Sequence, residues 1–259
     1  MIKFFRHIRQ NLIMENKTSK YLKYAIGEIV LVVIGILIAL QVNNWNQEKK
    51  DHSLGKDYLF RIHRDLVQDT INFRGIITSN NALREDIKSA FDTLYHGIHT
   101  IKQVKYIGRI YDKALDQFFS PNDNTYKGMV SSGALGLIEN LELKDEIIDL
   151  YSDYDQKRAL FTGIGQWMIT VATAETIQTD FIKFNDGVSD IFTDPAMLNE
   201  NDFAFLNDKE DPRFKMFVKA ISATAFNQSA SNGYYLELIS KCETVLKHID
   251  HELKNKPTL

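Results

Sequence analysis

Two histidine pairs are the first candidates for chemistry, His96 with His99 and His248 with His251, each three residues apart and so on one face of a helix. Imidazoles set this way are what a helical bundle uses to hold a transition metal, and Asp92 and Asp250 lie close enough in sequence to add a carboxylate. The Glu-x-x-His pattern of bundle metal sites is missing at both pairs, and each falls near an expected helix end, where imidazoles are solvated. No metal or other cofactor is expected. Ser131 and Ser132 offer hydroxyls, yet the run from Gly128 to Gly133 lacks the Gly-x-Ser-x-Gly spacing and the sheet that a nucleophile elbow needs. They read as turn or cap residues. Ser53 and Lys56 match a Ser-x-x-Lys spacing but abut an apolar segment in a fold of another class.

Cys242 is the only cysteine, which excludes an intramolecular disulfide and a multi-thiol metal site. Its position between Ile239 and Leu246 reads as that of a small buried apolar residue. The acids Glu142, Asp145, Glu146, Asp149, Asp153 and Asp155 read as the solvated side of an amphipathic helix. Tyr126, Tyr151, Tyr154 and Trp167 read as core rather than as a ligand groove. With no glycine-rich phosphate loop either, no catalytic constellation remains and no enzymatic activity is expected.

The elements that would position these residues are helices. Four prolines and thirteen glycines in 259 residues leave long stretches of helical periodicity, and the fold class is all-α. Leu59, Ile62 and Leu66 mark one apolar face of a helix reaching about Phe73. Asn80 and Asn81 then precede a second helix on Leu83, Ile87, Phe91, Leu94 and Ile98. A shorter helix covers residues 105–119, and 120–124 form a loop. Asn140 caps a helix on Leu143, Ile147, Leu150 and Tyr154, and the periodicity resumes through Leu160, Ile164, Trp167, Val171 and Phe181, with a kink or break at Gly163 and Gly165. Residues 185–211 are loop-like, and Asp194-Pro195 and Asp211-Pro212 each fit an N-cap followed by proline. Phe214, Phe217, Val218 and Ile221 begin a further helix, and Leu236, Ile239, Leu246 and Ile249 mark the last, from about Tyr234 to Leu253. Such segments are expected to pack as an antiparallel helical bundle over residues 58–255.

Ahead of that domain lies a different kind of segment. From Ile29 to Leu40 every residue is apolar or glycine, and Tyr24 to Ile26 with Val42 extend the run to the ~20 residues a bilayer requires. Residues 24–43 are therefore expected to form a transmembrane helix, and 44–57 a juxtamembrane linker or helix extension. Tyr21 and Tyr24 at one end and Trp45 at the other fit interfacial anchors, since Tyr24 to Trp45 spans about 31 Å of helix. Ile38-Ala39-Leu40 followed by Gln41 is not a small-residue cleavage site, so the segment is expected to stay as an anchor.

The charge distribution gives an orientation. Lys3, Arg6, Arg9, Lys17, Lys20 and Lys23 face one acid, Glu15, in the first 24 residues, which keeps this short tail in the cytoplasm. Ile2, Phe5, Ile8 and Leu12 recur at helical spacing, so residues 1–23 fit a basic amphipathic helix on an anionic inner surface. With a net charge of -3 for the whole chain, everything beyond the apolar run is acidic, which argues against nucleic acid as a partner. The domain is expected in the periplasm, beyond the inner membrane.

Glu28 is the costly residue here, because a carboxylate at mid-bilayer is worth roughly 2.5 to 3.5 kcal/mol against insertion. On a helical wheel Gly35 and Ala39 fall on the same narrow face as Glu28. Small residues four apart let helices approach closely, and a polar group can hydrogen-bond across the contact. This face is expected to bind a second copy or a partner membrane protein; the alternative is that Glu28 lies near the inner headgroups, wet or paired with Lys23 or Lys20, and needs no partner.

The stretch from Lys23 to Asn46, KYAIGEIVLVVIGILIALQVNNWN, resembles the N-terminal signature of a family of uncharacterised single-pass membrane proteins found in Bacteroidota. The preceding MIKFFRHIRQNLIMENKTSKYLKY is similar to that family's basic lead-in, and Tyr58 to Leu66 and Thr125 to Tyr154 are more loosely similar to its domain patterns. The resemblance implies a membrane-anchored domain of unknown function and carries over no catalytic residue. Protein–protein contact in a structural or accessory role is the expected function. The alternative is ligand sensing coupled to a separate inner partner.

Overall fold

The computed structural model describes residues 18–113, 119–172, 182–192, 194 and 197–254. The expected amphipathic helix over Ile2 to Leu12, and also Phe181 and Pro195, lie outside them. The described residues are helical and contain no strand. Among the described residues six α-helices run α1 Thr18–His96, α2 Ile101–Lys113, α3 Asn124–Ser132, α4 Leu141–Ala172, α5 Asp186–Ser189 and α6 Pro212–Lys254, with short 3-10 turns between some of them. The chain divides into two compact units, Met1–Lys56 and Asp57–Leu259.

In the first unit α1 presents its apolar residues outward, with Ile29 at 63 %, Leu31 at 65 % and Leu37 at 58 % exposure. It is long and apolar enough to cross a membrane, and none of its most apolar stretch is buried. Residues 44–56 are helical, and Lys49 lies over the exposed Trp45 ring at 5.9 Å.

The second unit has two hydrophobic cores. Leu59, Ile62, Leu66 and Phe73 of α1 meet Met129 of α3, a row from Leu143 to Phe161 on α4, and Tyr235, Leu238, Cys242 and Ile249 of α6. The other core joins Leu83, Ile87 and Leu94 of α1 to Val104 and Ile107 of α2, Phe205 and Leu206, and Phe217 and Ile221 of α6. Along the α4–α6 seam Glu146 meets His248, Asp153 meets Lys241 and Lys157 meets Glu237. One number rises as the other falls, so these helices run in opposite senses. Along the α1–α6 seam His63 meets Asp250, Arg74 meets Glu243, and Asn80 meets Asn232, again in opposite senses.

Several local expectations hold. Asn140 caps α4, its Oδ1 accepting from the Leu143 amide at 3.2 Å. Asp211 accepts from the Arg213 amide at 2.8 Å ahead of Pro212, the first residue of α6. Others are corrected. Asn80 and Asn81 do not begin a helix but lie inside α1, because their amides bridge to α6: Asn80 donates to Asn232 at 2.8 Å, and Asn232 donates to Asn81 at 2.9 Å. α4 continues through Gly163 and Gly165 without a break. The two expected C-terminal helices are one, α6, and the expected loop region ends in the short helix α3, closed by Gly133 at φ 73°. Leu236 is 58 % exposed and Trp167 48 % exposed, while Tyr235, Leu238, Phe161 and Met168 fill the core instead. In these two stripes Ile239, Ile249 and Val171 are buried as expected, while at Leu236 and Trp167 a neighbouring residue takes the core position.

α1 ends at Gly97, whose φ of 93° favours glycine. The chain then turns under a two-way clamp: the Ile98 amide donates to Asn207 Oδ1 at 2.6 Å, and Asn207 Nδ2 donates to the Ile98 carbonyl at 2.7 Å.

Candidate functional site

The histidines and acids weighed for metal chemistry lie apart from one another, each with its own partner. His96 bonds through Nδ1 to the Asp92 carbonyl at 2.8 Å, and His248 Nδ1 to Glu146 Oε2 at 2.6 Å. Asp250 faces His63 at 3.2 Å. Among the described residues no group of three or more His, Cys, Asp or Glu side chains is placed to hold a metal. Ser131 and Ser132 both donate to the Gly128 carbonyl in the last turn of α3. The acids expected to be solvated are partly engaged, since Glu146 and Asp153 tie α4 to α6 and Asp155 pairs with Arg158. Gly35 has open space around its Cα, Ala39 is exposed on α1, and Glu28, two and three turns earlier, is half-buried. Tyr21 and Tyr24 fall within the same helix.

The chemically distinctive cluster is one that the sequence reading passed over. Leu59, Ile62, Leu66, Asp69 and Phe73 follow one another at spacings of three and four, so Asp69 occupies a core position of α1. Its carboxyl is fully buried. Oδ1 accepts from the Asn122 backbone amide at 2.9 Å and from Asn122 Nδ2 at 2.7 Å, and Oδ2 accepts from the Tyr154 hydroxyl at 2.9 Å. Burial pushes the Asp69 pKa above the usual carboxylate range, against the pull of these three donors. An acid standing on an apolar stripe was the legible signal.

The Tyr154 hydroxyl also lies 3.2 Å from Cys242 Sγ, so one hydroxyl joins α1, α4 and α6. Burial raises the phenol of Tyr154 and pushes the Cys242 thiol up to about 12. A thiol held protonated inside the core is neither a nucleophile nor a metal ligand. At the rim, burial pushes the Asp123 carboxyl up, but the bonds and charges of Lys127 and Arg158 outweigh it and hold the group below its usual range. Thr125 donates to Asp65, and Tyr126 stacks on Tyr151 with ring centroids 4.2 Å apart. Tyr151 and Tyr154 are thus core, as their spacing implies, and Tyr126 packs at its edge.

This arrangement fixes the loop before α3 to three long helices through a carboxyl that no solvent reaches. Its chemistry is hydrogen bonding.

The model of a family of unknown function, DUF6090, matches residues 28–207. No curated protein and no solved structure matches the chain.

Proposed function

This chain belongs to the DUF6090 family of unknown function, and from that premise we propose that it is a membrane-anchored protein whose helical unit acts by contact with other proteins, in a structural or accessory role and without catalysis. In this reading residues 24–43 cross the inner membrane once, the N terminus is cytoplasmic, and the unit beyond it is a periplasmic antiparallel bundle. The resemblance of Lys23 to Asn46 to single-pass membrane proteins of Bacteroidota supports this placement.

One observation carries the anchor: the apolar residues of α1 from Ile29 to Val42 face outward with nothing packed on them. A contiguous apolar surface of that size is unfavourable in water and favourable in hydrocarbon. The six basic residues before it, with one acid, support the inward N terminus. Tyr21, Tyr24 and Trp45 then serve as interfacial anchors. The face of Glu28, Gly35 and Ala39 supports close helix contact, either between copies or with a partner membrane protein.

The test is cross-linking of the full chain in intact cells, followed by mass spectrometry of the purified membrane fraction. A stoichiometric partner or self-linked copies is the expected result, and Glu28→Ala with Gly35→Leu should abolish the linked species. Recovery of the unlinked chain alone would overturn the contact role. A reporter fused after Leu259 checks the orientation separately, and activity only on the cytoplasmic side would overturn it.

A further inference from the structure

We propose that Asn227, Gln228 and Ser231 of α6 form a binding site for a small uncharged molecule that both donates and accepts hydrogen bonds. The site does not depend on the contact role above. It lies where α6 passes from one hydrophobic core to the other, between Ile221 and Tyr235. Thr224, Asn227, Gln228 and Ser231 stand there at 1 %, 3 %, 2 % and 1 % exposure. Their spacing of three, one and three residues puts them on one helix face.

Thr224 satisfies itself, donating to the Ala220 carbonyl at 3.0 Å. The next three do not: among the described residues Asn227 Nδ2, Gln228 Oε1 and Ser231 Oγ are buried without a hydrogen-bond partner. The described residues of the neighbouring helices offer none. Asn80 and Arg84 of α1 bond to Asn232 and to the Ala225 carbonyl on either side of this stretch, which leaves the buried Leu83 between them. On α4 the register set by Lys157 with Glu237 and by the ring contact of Phe161 with Tyr234, carried on by one turn and then another, brings Ile164 level with Ser231 and Met168 level with Asn227.

Three unpaired polar atoms in an apolar interior are each costly, and native interiors fill such places with a hydrogen-bonding molecule. The face contributes no ionisable group, so a charged ligand would lose its hydration with nothing to offset it. Asn227 asks for an acceptor, Gln228 for a donor, and Ser231 takes either. Solvent water has this chemistry, as does a small primary amide or alcohol.

The experiment compares thermal midpoints of the purified full chain and Gln228→Leu/Ser231→Ala. If the site is occupied, the variant loses bonds and its midpoint falls by about 3 °C or more. An unchanged or raised midpoint shows that the groups were unpaired and overturns the proposal. Should the double variant fail to fold, Ser231→Ala alone is read the same way. Native mass spectrometry then separates the two sources: added mass on the wild type that the variant lacks identifies an organic ligand. Without added mass, a long-lived water seen by oxygen-17 relaxation in the wild type and lost in the variant identifies solvent. Finding neither species overturns the site.

Discussion

Tyr154 and Asp69, 85 residues apart in the chain, share a hydrogen bond of 2.9 Å with both side chains buried. Among the described residues the phenol donates to Asp69 Oδ2, while Oδ1 accepts from two donors. The carboxyl is thus held from both sides, by the loop through Asn122 and by α4 through Tyr154.

Tyr154→Phe keeps the ring and removes that donor. One buried carboxyl oxygen loses its partner, so the unit should lose about 1–3 kcal/mol of stability. Urea unfolding followed by circular dichroism measures this. A loss below the error of the fit would show that Oδ2 finds another donor.

The same carboxyl predicts a pH dependence. Burial raises the folded pKa of Asp69 above its unfolded value near 3.8, so the folded chain holds this proton where the unfolded chain has released it. The contribution is therefore fully present below the unfolded pKa and is lost as pH rises through the folded one. Asp123, Asp202 and Glu237 have lowered pKa values and act in the opposite direction, losing stability as pH falls. Asp69→Asn isolates the first effect. Wild-type stability relative to that variant should decline with rising pH above about 4, read from midpoints across an acid series. A flat difference would place Asp69 in the same charge state in both forms.

Asn207 offers a third test. Its amide serves both the N–H and the C=O of Ile98, so Asn207→Ala should cost about 1–2 kcal/mol. Amide hydrogen exchange should quicken around Gly97 and Ile98 before it does in the middle of α1. Unchanged exchange there would show that the clamp is dispensable.

How far the fold was legible depends on which signals were local. The caps at Asn140 and Asp211 use backbone groups within three residues, and both were readable. Asn80 and Asn81 carry the same side chains, but their partners lie on α6, about 150 residues away. No local rule distinguishes the two uses. The stripes misplaced at Leu236 and Trp167 have a similar cause, since neighbouring apolar residues compete for the core and long-range packing selects Tyr235, Leu238 and Met168. Asp69 could have been found from its position on the Leu59-to-Phe73 stripe. The loop residue that meets it, Asn122, could not.

That α6 belongs to both cores bears on the order of events during synthesis. Leu59 to Phe73 and Leu83 to Leu94, the α1 shares of the two cores, are made early, yet the facing residues from Phe217 to Ile249 are made late. Neither half can close while the chain is still growing through α4. Until α6 is made, α2, α3 and α4 can cover the apolar faces of α1 only in part, and the exposed remainder is open to misassociation.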